Sequence, residues 1–352
     1  MTPTTEAQNR SVVLPHVKAY PMVITASPIA VPTGNEVLIR VRAVAINPAD
    51  HAVQKLGVVI KPDHYPYVNG VDVSGDVVSV GPYNKRFQPG NRVTAQTSAW
   101  QKGETKYGAF QEYAIIIEPM VAKIPDNISY QEAAVLPLGF TTSSAMLYSP
   151  ELMGLDLPGT ATQVKSTQKV VLVWGGSSSV GANAVQTLKA AGYKVAVTAS
   201  ERNHGMMRAI NADHIFDYNN DGIVEEIMAA LIGMESAGIY CAVESASALR
   251  ACASIADNIK GKKCVGTVLP PSIPLPEGLP DSVEMLINDR VHFGSSETGR
   301  ILWAEWLPGA LEDGSMRCMP YPEVVGKGLE SIQSAVDLMG RGVSGKKLVV
   351  EF

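Results

Sequence analysis

The residues best suited to chemistry lie in one short run, VVLVWGGSSSVG at 170–181, where an apolar segment leads directly into small residues and then into a helical pattern. Gly175, Gly176, Ser177, Ser178, Ser179, Val180 and Gly181 form the turn. Small residues there let backbone amides at a helix N-terminus approach a pyrophosphate, and glycine at 181 lets helix and strand pack closely. The chemistry indicated is dinucleotide binding. The spacing departs from GxGxxG, because Ser178 stands where a GxxGxxG form has glycine; serine is still small enough for close approach. A glycine turn between a strand pattern and a helix pattern is a far stronger signal than glycines alone.

Cofactor choice is written at the end of the next strand, where NAD enzymes carry an acid for the ribose 2′-hydroxyl. Here KVAVTAS at 194–200 ends on Ala199 and Ser200. Ser200 can donate to a 2′-phosphate, with Arg202, Asn203 or His204 beside it, so NADPH is the expected cofactor. Glu201 is the contrary residue, reversing the preference if its side chain faces the ribose.

These residues need elements to hold them. Residues 37–45, 71–80, 92–95 and 110–117 read as strands punctuated by Gly81, Pro82, Pro89, Gly90 and Asn91, which predicts an antiparallel, partly barrel-like domain. From Ser129 the spacing turns helical, with Ser129 and Glu132 as a capping box, and 149–168 reads as a connecting loop. Beyond it, apolar strands alternate with helical stretches, the pattern of a doubly wound parallel sheet. The tail 331–352 resembles the first domain's partner strands, which makes that domain discontinuous.

The bulk numbers bound the answer. With 352 residues the chain exceeds what one core usually serves, and the net charge of −5 leaves no electrostatic footprint for nucleic acid. Every apolar run is interrupted short of about 18 residues, so no membrane span is expected. Cys241, Cys252, Cys264 and Cys318 sit far apart without metal-type pairing, which points to free thiols and a cytoplasmic location.

Several motifs in order resemble the medium-chain dehydrogenases/reductases, in their zinc-free quinone-reductase-like branch. They are VAINPAD at 44–50, GVDVSGDVVSVG at 70–81, FQPGNRV at 87–93, GAFQEYA at 108–114, AAVLPLGFTT at 133–142, the glycine turn, IFDY at 215–218 and SGKKLVV at 344–350. Within that branch the chain is most similar to trans-acting enoyl reductases of fungal polyketide synthases, a likeness carried by INPAD, the FDY tripeptide, HFGSSETG at 292–299 and the SGKKLVV ending. The resemblance implies an α/β fold: a Rossmann doubly wound parallel sheet at 151–299, and a GroES-like, mainly antiparallel β domain from 1–150 and 300–352, with the active site in the cleft between. It implies that Asn47 and Thr142 line the nicotinamide, that Ser200 and Tyr218 clamp the 2′-phosphate, and that Leu269 belongs to the cofactor-binding set. Zinc-dependent relatives carry a Cys where residues 45–48 stand and a GHE motif where 69–72 stand; here these read AINP and NGVD, so no metal is expected.

One position departs from the pattern. Related reductases place a Tyr or Lys shortly after the NPxD aspartate, to help polarise the carbonyl and deliver a proton, whereas this chain reads Asp50-His51-Ala52. Three explanations remain: His51 supplies an acid or a hydrogen bond; Lys55 or solvent does so; or the reaction is different. The leading expectation is NADPH-dependent reduction of an α,β-unsaturated thioester carried by a polyketide synthase, with Asn47, His51 and Thr142 as catalytic residues. The alternatives are an NADPH:quinone or free enone reductase, and a cofactor-binding isomerase or cyclase without net redox. Lys260, Lys262 and Lys263 before a presumed edge strand at 264–268 favour a monomer.

Overall fold

The computed structural model describes residues 8–159, 166–288 and 293–352, and the chain divides into two compact units, Met1–Leu138 with Tyr321–Phe352, and Gly139–Pro320. The presumed loop at 149–168 and the HFGSSETG motif fall partly outside the described residues, His292 among them.

In the first unit the Glu36–Ala45 strand is central. Its sequence EVLIRVRAVA buries the aliphatic residues and leaves Arg40 exposed, while Arg42 pairs with Asp76 at 2.7 Å. It is bordered antiparallel by Asp72–Val80, Lys346–Glu351 and Tyr113–Ile117. Arg92–Gln96 and Val121–Lys123 extend the sheet on one side, and Tyr321–Lys327 pairs parallel with the final strand on the other. A smaller sheet orders Val23–Pro28, Gln8–Leu14 and Tyr67–Val68. The chain's tail thus completes the N-terminal domain, as an unpartnered apolar segment such as KKLVVE must.

The Pro48–Leu56 helix leaves this sheet directly. Pro48 suits the first helical position, the Asp50 carboxylate accepts the Asn47 backbone N–H at 2.8 Å, and Gly57 closes the helix with φ of 68°. Its inner face carries Asp50, Val53 and Gln54.

The second unit is a six-stranded parallel sheet, ordered His214–Phe216, Lys194–Thr198, Lys169–Trp174, Glu235–Cys241, Cys264–Thr267 and Glu284–Ile287. In chain order this is 3-2-1-4-5-6, with the switch point beside Lys169–Trp174, the strand that feeds the glycine turn.

The structure differs from expectation in three places. The second unit begins at Gly139 and runs to Pro320, rather than spanning 151–299. The reason is packing: Phe140 meets the Trp303 ring edge-on at 5.4 Å and stacks on Trp306 at 6.1 Å, while Trp303 Nε1 donates to Thr141 Oγ1 at 3.1 Å. The helical stretch after Ser129 is two helices, Tyr130–Ala133 and Pro137–Tyr148, because Pro137 cannot continue the first. And the strand Cys264–Thr267 is interior, since Glu284–Ile287 pairs outside it; the lysines before it guard no edge, which removes the argument for a monomer drawn from them. Among the described residues no helix is long and apolar enough to cross a membrane.

Candidate active site

The glycine turn has the geometry that cofactor binding requires. Gly175 adopts φ of 87°, and a β carbon there would fall 2.5 Å from Val243 Cγ1; one at Gly176 would fall 2.0 Å from Val197 Cγ2. At Gly181 it would fall 2.3 Å from the Gly175 carbonyl oxygen, so helix and strand approach as closely as backbone allows. The Ser179–Ala190 helix starts here, capped by Ser178, whose hydroxyl accepts from the Gly181 amide and donates to the Ala242 carbonyl. Ser178 therefore does structural work that a glycine could not, leaving Ser177, Ser179 and Val180 half-buried around the turn.

Beside the turn, the Asn203 side-chain amide donates to both Ser177 Oγ at 3.2 Å and Ser200 Oγ at 3.1 Å. Both hydroxyls keep a proton to donate, so these three side chains gather polar donors without a charge of their own. Glu201 and Arg202 are exposed, and Tyr218 is 41% exposed. The acid close by is Asp217. Its carboxylate is held below the usual range chiefly by the Asn219 backbone N–H, with further help from the Asn219 side chain and the Glu201 N–H, so it staples two loops together. Leu269 is buried just beyond Cys264–Thr267, its amide donating to Thr267 Oγ1 at 3.1 Å.

The first unit holds a different cluster. Antiparallel register places Val349 opposite Ala45, and Ile46 donates to the Leu348 carbonyl; continuing that register sets Lys347 opposite Asn47. On the other side Asp72 lies opposite Ala45. The three side chains close into a ring. Lys347 Nζ donates to Asn47 Oδ1 at 2.5 Å and pairs with Asp72 Oδ2 at 3.0 Å, and Asn47 Nδ2 donates to that same Oδ2 at 3.0 Å. Asp72 Oδ1 accepts the Leu138 amide at 2.7 Å. The Lys347 and Asp72 side chains are 4% and 0% exposed, so three donors satisfy a carboxylate fully withdrawn from water.

Asp50 is the second buried carboxyl. One oxygen accepts the Asn47 amide, while Oδ1 has no partner among the described residues. Burial, reinforced by Asp72, pushes it up to about 7 against the pull of its hydrogen bond and of Lys347. Asp50 therefore holds its proton through the weakly acidic range, and Asp72 and Lys347 form the ion pair. Burial, with Asp50 nearby, holds the Tyr67 hydroxyl well above its ordinary value.

Of the residues read as catalytic, Asn47 is thus 2% exposed and engaged at both ends of its amide. His51 is half-buried on the next turn, its ring against Gly340 at the end of the Ile332–Met339 helix. Ala52 is half-buried and Lys55 exposed on the same helix. Thr142 is half-buried on Pro137–Tyr148, in the other unit. Sequence reasoning did not single out Asp72 or Lys347, although both lie inside motifs that carried the family likeness. Nothing in local spacing links residues 300 positions apart.

Comparison with known proteins fits this architecture. The alcohol dehydrogenase GroES-like domain family matches residues 33–126. Over nearly its whole length the chain is similar to the dehydrogenase pigH of Monascus ruber, 35% identical over 370 residues that cover 97% of this chain and 99% of that protein. The chain belongs to the medium-chain dehydrogenase/reductase superfamily. This medium-chain reductase is also 33% identical to the trans-enoyl reductase tndF of Aspergillus flavipes over 356 residues, 97% of this chain and 99% of that one. Its fold is shared with the CurK enoyl reductase, at a TM-score of 0.76 and 20% identity over 98% of this chain and 99% of that one. As an oxidoreductase of the superfamily, it takes a nicotinamide dinucleotide, and the cradle at Gly175, Gly176 and Gly181 fits one.

Proposed function

We propose that this medium-chain reductase is a zinc-independent, NADPH-dependent enoyl reductase, acting on an α,β-unsaturated acyl thioester carried by a polyketide synthase. The observation that carries this reading is the buried Asn47–Asp72–Lys347 ring. It joins the two segments that supply ligands in zinc-dependent relatives, and it does so with an ammonium group, which satisfies Asp72; among the described residues no cluster of His, Cys, Asp and Glu is grouped to hold a metal. The substrate class is supported by likeness to tndF, whose name is that of a trans-enoyl reductase. NADPH is supported by the Ser177–Asn203–Ser200 corner, with Arg202 and Tyr218 beside it in sequence or family position.

When bound, the nicotinamide supplies the hydride. The chain's own part is to bind, orient and polarise. The glycine turn and the Ser200 corner hold the dinucleotide. Asn47 and Thr142 have side chains that orient without adding charge, and a preorganised donor acts most strongly where water is excluded. His51 is the side chain nearest in sequence to the missing acid.

A second reading, a non-redox isomerase or cyclase on the same scaffold, is favoured by Ala52, which can neither donate a proton nor hold a charge. Incubation with NADPH and a panel of acyl thioesters, free enones and quinones separates the readings, with product mass read alongside nicotinamide absorbance. Reduction of the thioester is expected. A mass change without NADPH consumption would support the second reading, and a preference for quinones would move the chain to another acceptor class.

A further inference from the structure

The amide of Asn47 has two possible orientations, and its surroundings permit one. Lys347 offers only hydrogens and Asp72 only lone pairs, so Oδ1 must face the ammonium and Nδ2 the carboxylate. A flipped amide would set N–H against N–H and oxygen against oxygen, in a place where no water screens either clash. The backbone of Asn47 is held as firmly, by the Asp50 carboxylate on its N–H and by the sheet register just before it.

We propose that Lys347, together with Asp72, is a positioning residue whose buried ion pair locks the Asn47 amide in the one orientation that serves the reacting centre. The ammonium takes over the role of a fixed positive charge between these two segments of the fold. It gives Asn47 a single direction without itself meeting the substrate. The inference rests on the reading of Asn47 as a residue of the reacting centre.

The test needs a variant that folds. Lys347→Met alone leaves Asp72 buried and unpaired, so it is combined with Asp72→Asn: the pair is then neutral and similar in size, and an asparagine at 72 accepts either orientation of its neighbour. Lys347→Arg is the conservative control. Three quantities are read in each protein: melting temperature, NADPH affinity by fluorescence titration, and turnover on whichever acceptor the wild type reduces. A fourth is independent of activity. The side-chain amide signals of Asn47, assigned by their loss in Asn47→Asp, report whether the amide is locked through their hydrogen-exchange protection.

The double variant is expected to fold, to bind NADPH within about twofold of wild type, to lose most of the Asn47 amide protection, and to turn over about 10²-fold more slowly, the scale of a misplaced reacting group. Lys347→Arg should recover part of both protection and turnover. A folded double variant with undiminished amide protection would overturn the lock; lost protection with undiminished turnover would overturn its role. If the wild type reduces nothing in the panel, the reductase reading fails, while the amide signals still decide the lock.

Discussion

The imidazole of His51 lies directly against Gly340: a β carbon on that glycine would fall 2.4 Å from Nε2 and 2.7 Å from Cδ2. The backbone of Gly340 has φ of −63°, a conformation open to any residue, so a larger residue here meets first the imidazole, which would have to shift.

This contact offers two ways to test the histidine. His51→Ala should lower turnover by about 10²- to 10⁴-fold, the usual consequence of losing a general acid, while NADPH affinity holds. Gly340→Ala leaves the imidazole in place chemically but displaces it, and should reproduce part of that loss. Steady-state kinetics on the two variants is the measurement. Wild-type turnover in both would make the histidine a packing residue and assign the proton to water or Lys55.

Asp50 predicts a pH-dependent stability. Its carboxyl is pushed by burial from the ordinary 3.8 up to about 7, so the folded state binds this proton more tightly than the unfolded state. Below the unfolded value both states are protonated and the full stability is present. As pH rises from there through about 7, the unfolded chain ionises first and stability falls, by on the order of a few kcal/mol for one buried group. Asp50→Asn keeps an acceptor for the Asn47 N–H and removes the titration, so its melting temperature should vary less than that of wild type between weakly acidic and neutral pH. Parallel curves for the two proteins would show that Asp50 does not carry the dependence.

NADPH should bind more tightly than NADH. Ser200→Asp introduces the acid that a ribose 2′-hydroxyl prefers and a 2′-phosphate repels, and it replaces the hydroxyl that accepts from Asn203. The preference should narrow or reverse in a calorimetric titration of each cofactor. Equal affinities in the wild type would defeat the assignment of this corner.

The purified protein should contain no stoichiometric zinc and should keep its activity in a chelator, because Lys347 already neutralises Asp72. Elemental analysis decides this. One zinc per chain would mean that the ammonium is displaced in solution and that the branch assignment is mistaken.

Much of the molecule is legible in its sequence, for local reasons. A strand, three glycines and a helix within twelve residues announce the tight strand-to-helix turn, since the small side chains are needed where they stand. Alternation of apolar strands and helices announces the parallel sheet, and a run of ordered motifs the superfamily. The helix break at Pro137 is readable in hindsight from the proline itself. The interior position of Cys264–Thr267 is not, because the strand that covers it, Glu284–Ile287, has only four residues, too few to show a period.

What the sequence determined by itself is therefore the class of fold, the glycine turn between strand and helix, and the lack of the zinc-ligand motifs at 45–48 and 69–72, each set by residues near one another in the chain. Only the tertiary structure decided which charges meet. Lys347 reaches Asn47 because the final strand pairs antiparallel with Glu36–Ala45 in one register, and Asp72 meets both because its strand pairs on the opposite side. Register is set by the whole sheet burying its apolar face, and a slip of one residue would turn Lys347 to the other side. A buried charge has to find its partner wherever the fold brings one, and spacing along the chain carries no record of that choice.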